Sequence, residues 1–102
     1  MKTFTITEIQ TTLPNDVRAQ RFIQTLIDEK WVRCINQTTV KSTYEWLGVI
    51  VNENEILVMM KTSVDKTGNA ISRIKEIHPY GLPALLYHQV NTTEEFYKWV
   101  NE

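Results

Sequence analysis

Between Trp31 and Thr62 the chain is almost continuously β-forming, with "WVRCINQTTVKSTYEW" and "VIVNENEILVMMKT" separated only by the Leu47-Gly48 step. Side chains that are β-branched or aromatic at this density favour extended backbone, so the segment reads as two long strands that pair as a hairpin. Two turns compete for its tip. Leu47-Gly48 offers a glycine that accepts positive φ, whereas Asn52-Glu53-Asn54 has the stronger turn composition, and composition leaves both open. The run Ile56 to Met60 is apolar without alternation, which marks a strand covered on both faces and central in its sheet.

The rest of the chain is arranged around that hairpin. Residues 3 to 9, "TFTITEI", alternate Phe4 and Ile6 with Thr5 and Thr7 in the period of a half-buried strand, and "LPND" then breaks the pattern. Asn15 or Asp16 is placed to cap a helix whose stripe is Ala19, Phe22, Ile23, Leu26 and Ile27. A second helix carries Val64, Thr67, Ile71, Ile74 and Ile77 and ends near His78; "ALLYHQV" is a last strand; "TTEEFYKWV" is a short helix in which Thr92 and Glu95 are placed for a capping box. The expected order is β-α-β-β-α-β-α in a single domain over residues 1–102. Two βαβ halves joined by a hairpin give an α+β, ferredoxin-like antiparallel sheet with both main helices on one face.

Composition removes several function classes. Eleven basic and twelve acidic side chains leave a net charge of −1 with no basic block, so a nucleic-acid partner is not expected. No run approaches the roughly 20 apolar residues of a membrane span, and the alternating N-terminal segment lacks a signal-peptide core; a soluble, cytoplasmic protein is expected. Cys34 is the only cysteine, which excludes an internal disulfide and suits a reducing compartment. The chain has no Gly-rich phosphate loop and no G-x-S-x-G or Ser-His-Asp order, so no enzymatic turnover is expected.

Three segments, "RCINQTTVKSTYEWLG" at 33 to 48, "ENEILVMMKT" at 53 to 62 and "HPYGLPALLYHQV" at 78 to 90, followed by "YKWV" at 97 to 100, resemble the CutA divalent-cation tolerance family in order and spacing. The resemblance implies a ferredoxin-like homotrimer akin in architecture to the PII signalling proteins, linked to tolerance of copper and other divalent cations. It also favours Leu47-Gly48 as the hairpin turn and leaves Asn52-Glu53-Asn54 as a kink or bulge inside the third strand. Strands of this length, where about 5–6 residues is usual, then find partners in neighbouring subunits.

The family positions associated with metal are His78 and Cys34, and imidazole and thiolate suit copper or zinc. A zinc site uses three or four protein ligands, yet one cysteine and two histidines stand here at no ligand spacing. Where the family motif has glutamate after its second proline, this chain has Ala84 after Pro83. His78 also reads as punctuation, because a residue before proline leaves the α region and ends the helix. Cys34 between Arg33 and Ile35 reads as a small buried residue, and His88 as a packed or edge histidine. A second candidate site is an inter-subunit cleft of Tyr44, Trp46, Tyr80, Glu55 and Lys61, where Lys61 either pairs with Glu55 or accepts a small anionic ligand.

Overall fold

A computed structural model describes residues 2–102. Its elements are β1 (Phe4–Pro14), α1 (Val17–Asp28), β2 (Cys34–Trp46), β3 (Val49–Thr62), α2 (Thr67–Ile77), β4 (Leu85–Thr92) and α3 (Glu94–Asn101), with a 3₁₀ turn at Val64–Lys66 leading into α2. The four strands form one antiparallel sheet in the order β2-β3-β1-β4. This is the expected α+β, ferredoxin-like arrangement with an added C-terminal helix.

Alternation divides the sheet into two faces. Ile9 and Leu13 of β1 and Ile56, Val58 and Met60 of β3 meet Ala19, Phe22 and Leu26 of α1 and Ala70 and Ile74 of α2, all essentially buried. Burying each of the larger side chains contributes about 1.5–3 kcal/mol, which makes this layer the main source of stability. Three threonines share it without leaving a polar group unmet: Thr7 bonds Thr67 at 2.7 Å, Thr62 donates to the carbonyl of Trp31 at 2.8 Å, and Thr11 is held by the 78–84 loop. On the opposite face, among the described residues, the helix cover is α3. There α3 packs chiefly against β1 and β3, with the Tyr97 ring 5.3 Å from Phe4 and Arg33 over the Trp99 ring at 4.5 Å.

Several boundaries differ from the sequence reading. β1 does not stop before "LPND" but runs on to Pro14, which is opposite Glu55 on β3 and beyond the last β1–β4 pair, Thr11 with Leu85. Proline is tolerated where one neighbouring strand has already ended. β2 starts at Cys34 rather than Trp31. Asp16 caps α1, its carboxylate accepting from Arg18 N–H at 2.9 Å, while α3 is capped by Thr93, which accepts from Phe96 N–H, and not by Thr92.

The hairpin turns at Leu47-Gly48, with φ of 51° and 80°. Two successive positive φ values match the twist of the flanking strands. No bulge occurs at Asn52-Glu53-Asn54: the β2–β3 ladder is regular from Cys34–Lys61 to Trp46–Val49, correcting that expectation. Polar residues are accommodated there because β1 pairs with β3 only from Glu55 onwards. Residues 40 to 54 therefore form a two-stranded arm that extends past the sheet, and the molecule measures 49 × 28 × 21 Å. Near the tip, Trp46, Val49 and Ile50 are more than half exposed and Leu47 is 88% exposed. No helix among the described residues is long and apolar enough to cross a membrane.

Candidate functional site

The chain around His78 shows why the helix ends there. His78 adopts φ −66°, ψ 131°, its N–H still closing the last turn of α2 on Ile74 O at 2.9 Å, before Pro79 takes the chain away. The ring is buried and fully engaged. Nδ1 accepts from Tyr80 N–H at 3.1 Å, which leaves the proton on Nε2 to be donated to Thr11 Oγ1 at 2.9 Å, and Thr11 in turn donates to Ala84 O. The ring also meets Phe22 edge-on at 5.5 Å. His78 thus ties both ends of the 78–84 loop to β1.

Burial holds the His78 pKa below its ordinary value of 6.5, opposed by backbone of Thr12 and the charge of Glu55. The unfolded chain accordingly binds more protons than the folded one as the pH drops below 6.5. Stability contributed by this group is complete above that pH and is lost as the pH falls through the depressed folded value. Urea midpoints at pH 7.5 and pH 5 are expected to differ more in the parent than in His78→Gln. An unchanged difference would remove His78 from the pH response.

Copper or zinc fits poorly here. Cys34 is half-buried at the start of β2, opposite Lys61, on the face away from α1 and α2. His78 lies against Thr11 on the helix face, with both ring nitrogens taken. The two expected ligands are not brought together, and among the described residues no group of three His, Cys, Asp or Glu side chains is placed to hold a metal ion. His88 is exposed on β4, with Nε2 3.4 Å from Glu8.

Four of the five expected cleft residues do converge. Tyr44, Trp46 and Glu55 point to the same side of the arm, because Tyr44 pairs with Val51, Trp46 with Val49 and Glu55 with Val40 in one register. Tyr80 reaches over from the loop, and together with Thr12, Ser42, Glu53, Leu82 and Ala84 they line an open cavity of 770 Å³ at the base of the arm. Tyr80 OH donates to Glu55 Oε2 at 2.6 Å, and Tyr44 OH to Glu53 Oε1 at 2.7 Å. Burial, followed by the bond to Glu55, drives the Tyr80 phenol far above its ordinary pKa; for Tyr44 the bond to Glu53 raises it. Both therefore remain neutral donors.

Lys61 is the exception. Six residues from Glu55 on one strand is about 20 Å, and its ammonium instead bonds Asn36 Oδ1 at 2.6 Å and lies 3.8 Å from Glu8. Of the two alternatives, the Lys61–Glu55 pair does not form, and among the described residues no basic side chain lines the cavity. Glu53, Ser42 and Ala84 were not anticipated there. Glu53 was detectable, because a residue two positions from Glu55 shares its face.

The comparisons with known proteins agree on one family. The family model described as "CutA1 divalent ion tolerance protein" matches residues 7–102. The divalent-cation tolerance protein CutA of Pyrococcus horikoshii is 33% identical over 95 residues, covering 92% of this chain and 93% of that one. Among solved structures, the PII-like protein CutA from Nostoc sp. PCC 7120, in apo form, superposes with a TM-score of 0.88 at 32% identity, covering 93% of both chains. The periplasmic divalent cation tolerance protein CutA from Archaeoglobus fulgidus superposes at 0.86 with 26% identity, covering 93% of this chain and 94% of that one.

Proposed function

This chain belongs to the CutA1 divalent ion tolerance family, and from that premise we propose that it is a homotrimeric, non-catalytic binding scaffold in the cytosolic response to copper and other divalent cations. The observation that carries the reading is the arm: a two-stranded ribbon with an apolar tip is a poor free-standing element and a ready surface for pairing with copies of itself. Assembly through the arm brings the cavity at its base beside a neighbouring chain, and that cavity, rather than a His78–Cys34 metal centre, is the ligand site of this proposal.

A reading as a small-anion scaffold loses its support with Lys61, which lies outside the cavity. Light scattering at micromolar concentration is expected to give three chain masses, and a stable monomer would refute the scaffold. Calorimetric titration with copper is expected to show no tight stoichiometric site dependent on both His78 and Cys34. Loss of such a site in His78→Ala and in Cys34→Ala would restore the metal centre and overturn the assignment of the ligand site.

A further inference from the structure

We propose that the cavity at the base of the arm binds a small organic cation, best matched by an aliphatic diammonium. The inference rests on the reading of this cavity as the scaffold's ligand site and names the chemistry it selects. At 770 Å³ the cavity is of the size that encloses small molecules, and most of its wall is aromatic or aliphatic. Among the described residues of one chain, its only charged wall residues are two carboxylates, Glu53 and Glu55.

Glu55 is the decisive group. It is only 6% exposed, yet among the described residues no lysine, arginine or histidine lies within ion-pair distance of it; its partner is the neutral hydroxyl of Tyr80. A carboxylate so buried is costly unless a positive charge joins it. The phenols accept no proton from a ligand and block no more than one oxygen apiece: Tyr80 takes Oε2 of Glu55 and Tyr44 takes Oε1 of Glu53. The other oxygen of each carboxylate is left to receive an N–H donor.

Spacing and aromatic character narrow the ligand further. Glu53 and Glu55 are two positions apart on β3, on one face, with backbones about 7 Å apart. An extended four-carbon diamine separates its two ammonium groups by a similar span. Tyr44, Trp46 and Tyr80 line the same cavity, and aromatic rings favour a cation and its aliphatic stem over an anion. Ala84 contributes no more than a methyl side chain to the lining.

The test is thermal shift and calorimetry on the full chain with 1,4-diaminobutane, with 1,4-butanediol, succinate and copper as matched probes. The diamine is expected to raise the melting temperature and the diol and succinate to leave it unchanged. Binding should weaken on the order of tenfold or more in Glu55→Gln and in Glu53→Gln, as expected for loss of a charged hydrogen-bond acceptor. Ala84→Lys, which places an ammonium in the cavity, should abolish it. Glu53 is exposed, so its variant keeps the test valid if Glu55→Gln fails to fold. Stabilisation by succinate, equal stabilisation by the diol, no response to the diamine, or a diamine affinity indifferent to both glutamates would overturn the inference. Native mass measured alongside separates the two failures: a silent trimer removes only the cation, whereas a monomer removes the scaffold.

Discussion

Trp46→Glu combined with Val49→Lys is expected to reduce the native particle from three chain masses to one while leaving the far-ultraviolet dichroism of the fold intact. The two residues are cross-strand partners beside the turn, and both are more than half exposed in the single chain. An opposite-charge pair at such a position supports a hairpin, so the substitution spares the arm itself. It removes two large apolar side chains from the proposed contact. Each contributes about 1.5–3 kcal/mol when buried, and symmetry repeats the loss at every interface of a ring. Light scattering over a concentration series checks the mass. A variant that remains three chain masses would show that the arm tip does not carry assembly.

Phe22→Ala is expected to destabilise the fold by about 3–5 kcal/mol. The ring is 2% exposed, belongs to the core that α1 and α2 share with the sheet, and lies 5.5 Å from His78. Its removal opens a cavity directly behind the loop that forms part of the ligand site. Urea unfolding at one fixed protein concentration should give a lower midpoint with an unchanged slope. A loss below about 0.5 kcal/mol, the range of a substitution away from the core, would contradict the packing of α1 described above.

The order of elements was legible because the strands and helices keep their periods, and β3 is interior to the sheet as its apolar run at Ile56 to Met60 implies, but the expected cover on both faces is not met in the single chain, where Leu57 and Met59 are only half-buried. The second half of β1 was not. Thr11 interrupts the apolar series although it is buried on the core face, and only its bonds to His78 and Ala84 make that burial tolerable. At Asn52-Glu53-Asn54 the polar composition signalled a turn, but a strand of the arm exposed beyond the sheet has no need of apolar residues there; Thr43 bonds Asn52 across the ladder at 2.7 Å.

The site was legible in part for the same reason. Tyr44 and Trp46 share a face by alternation, and so do Glu55 and the unanticipated Glu53; Tyr80 was named for its apolar body and polar tip and does line the cavity, but the course of the 78–84 loop that brings it there is encoded by no period. Lys61 shows the opposite failure. Its parity with Glu55 is right and its distance along β3 is wrong, and it finds Glu8 and Asn36 across the sheet.

Leu47 holds a backbone angle that asparagine or glycine would adopt at lower cost, and it does so with its side chain almost wholly in water. For an isolated ribbon this is a double penalty, conformational and hydrophobic. On the assembly proposed here the penalty becomes an incentive: each protomer is left with an unspent driving force at its extremity, discharged only when the bulky aliphatic group finds shelter against a sibling. The loneliest residue in the chain would then be the one that makes solitude unfavourable.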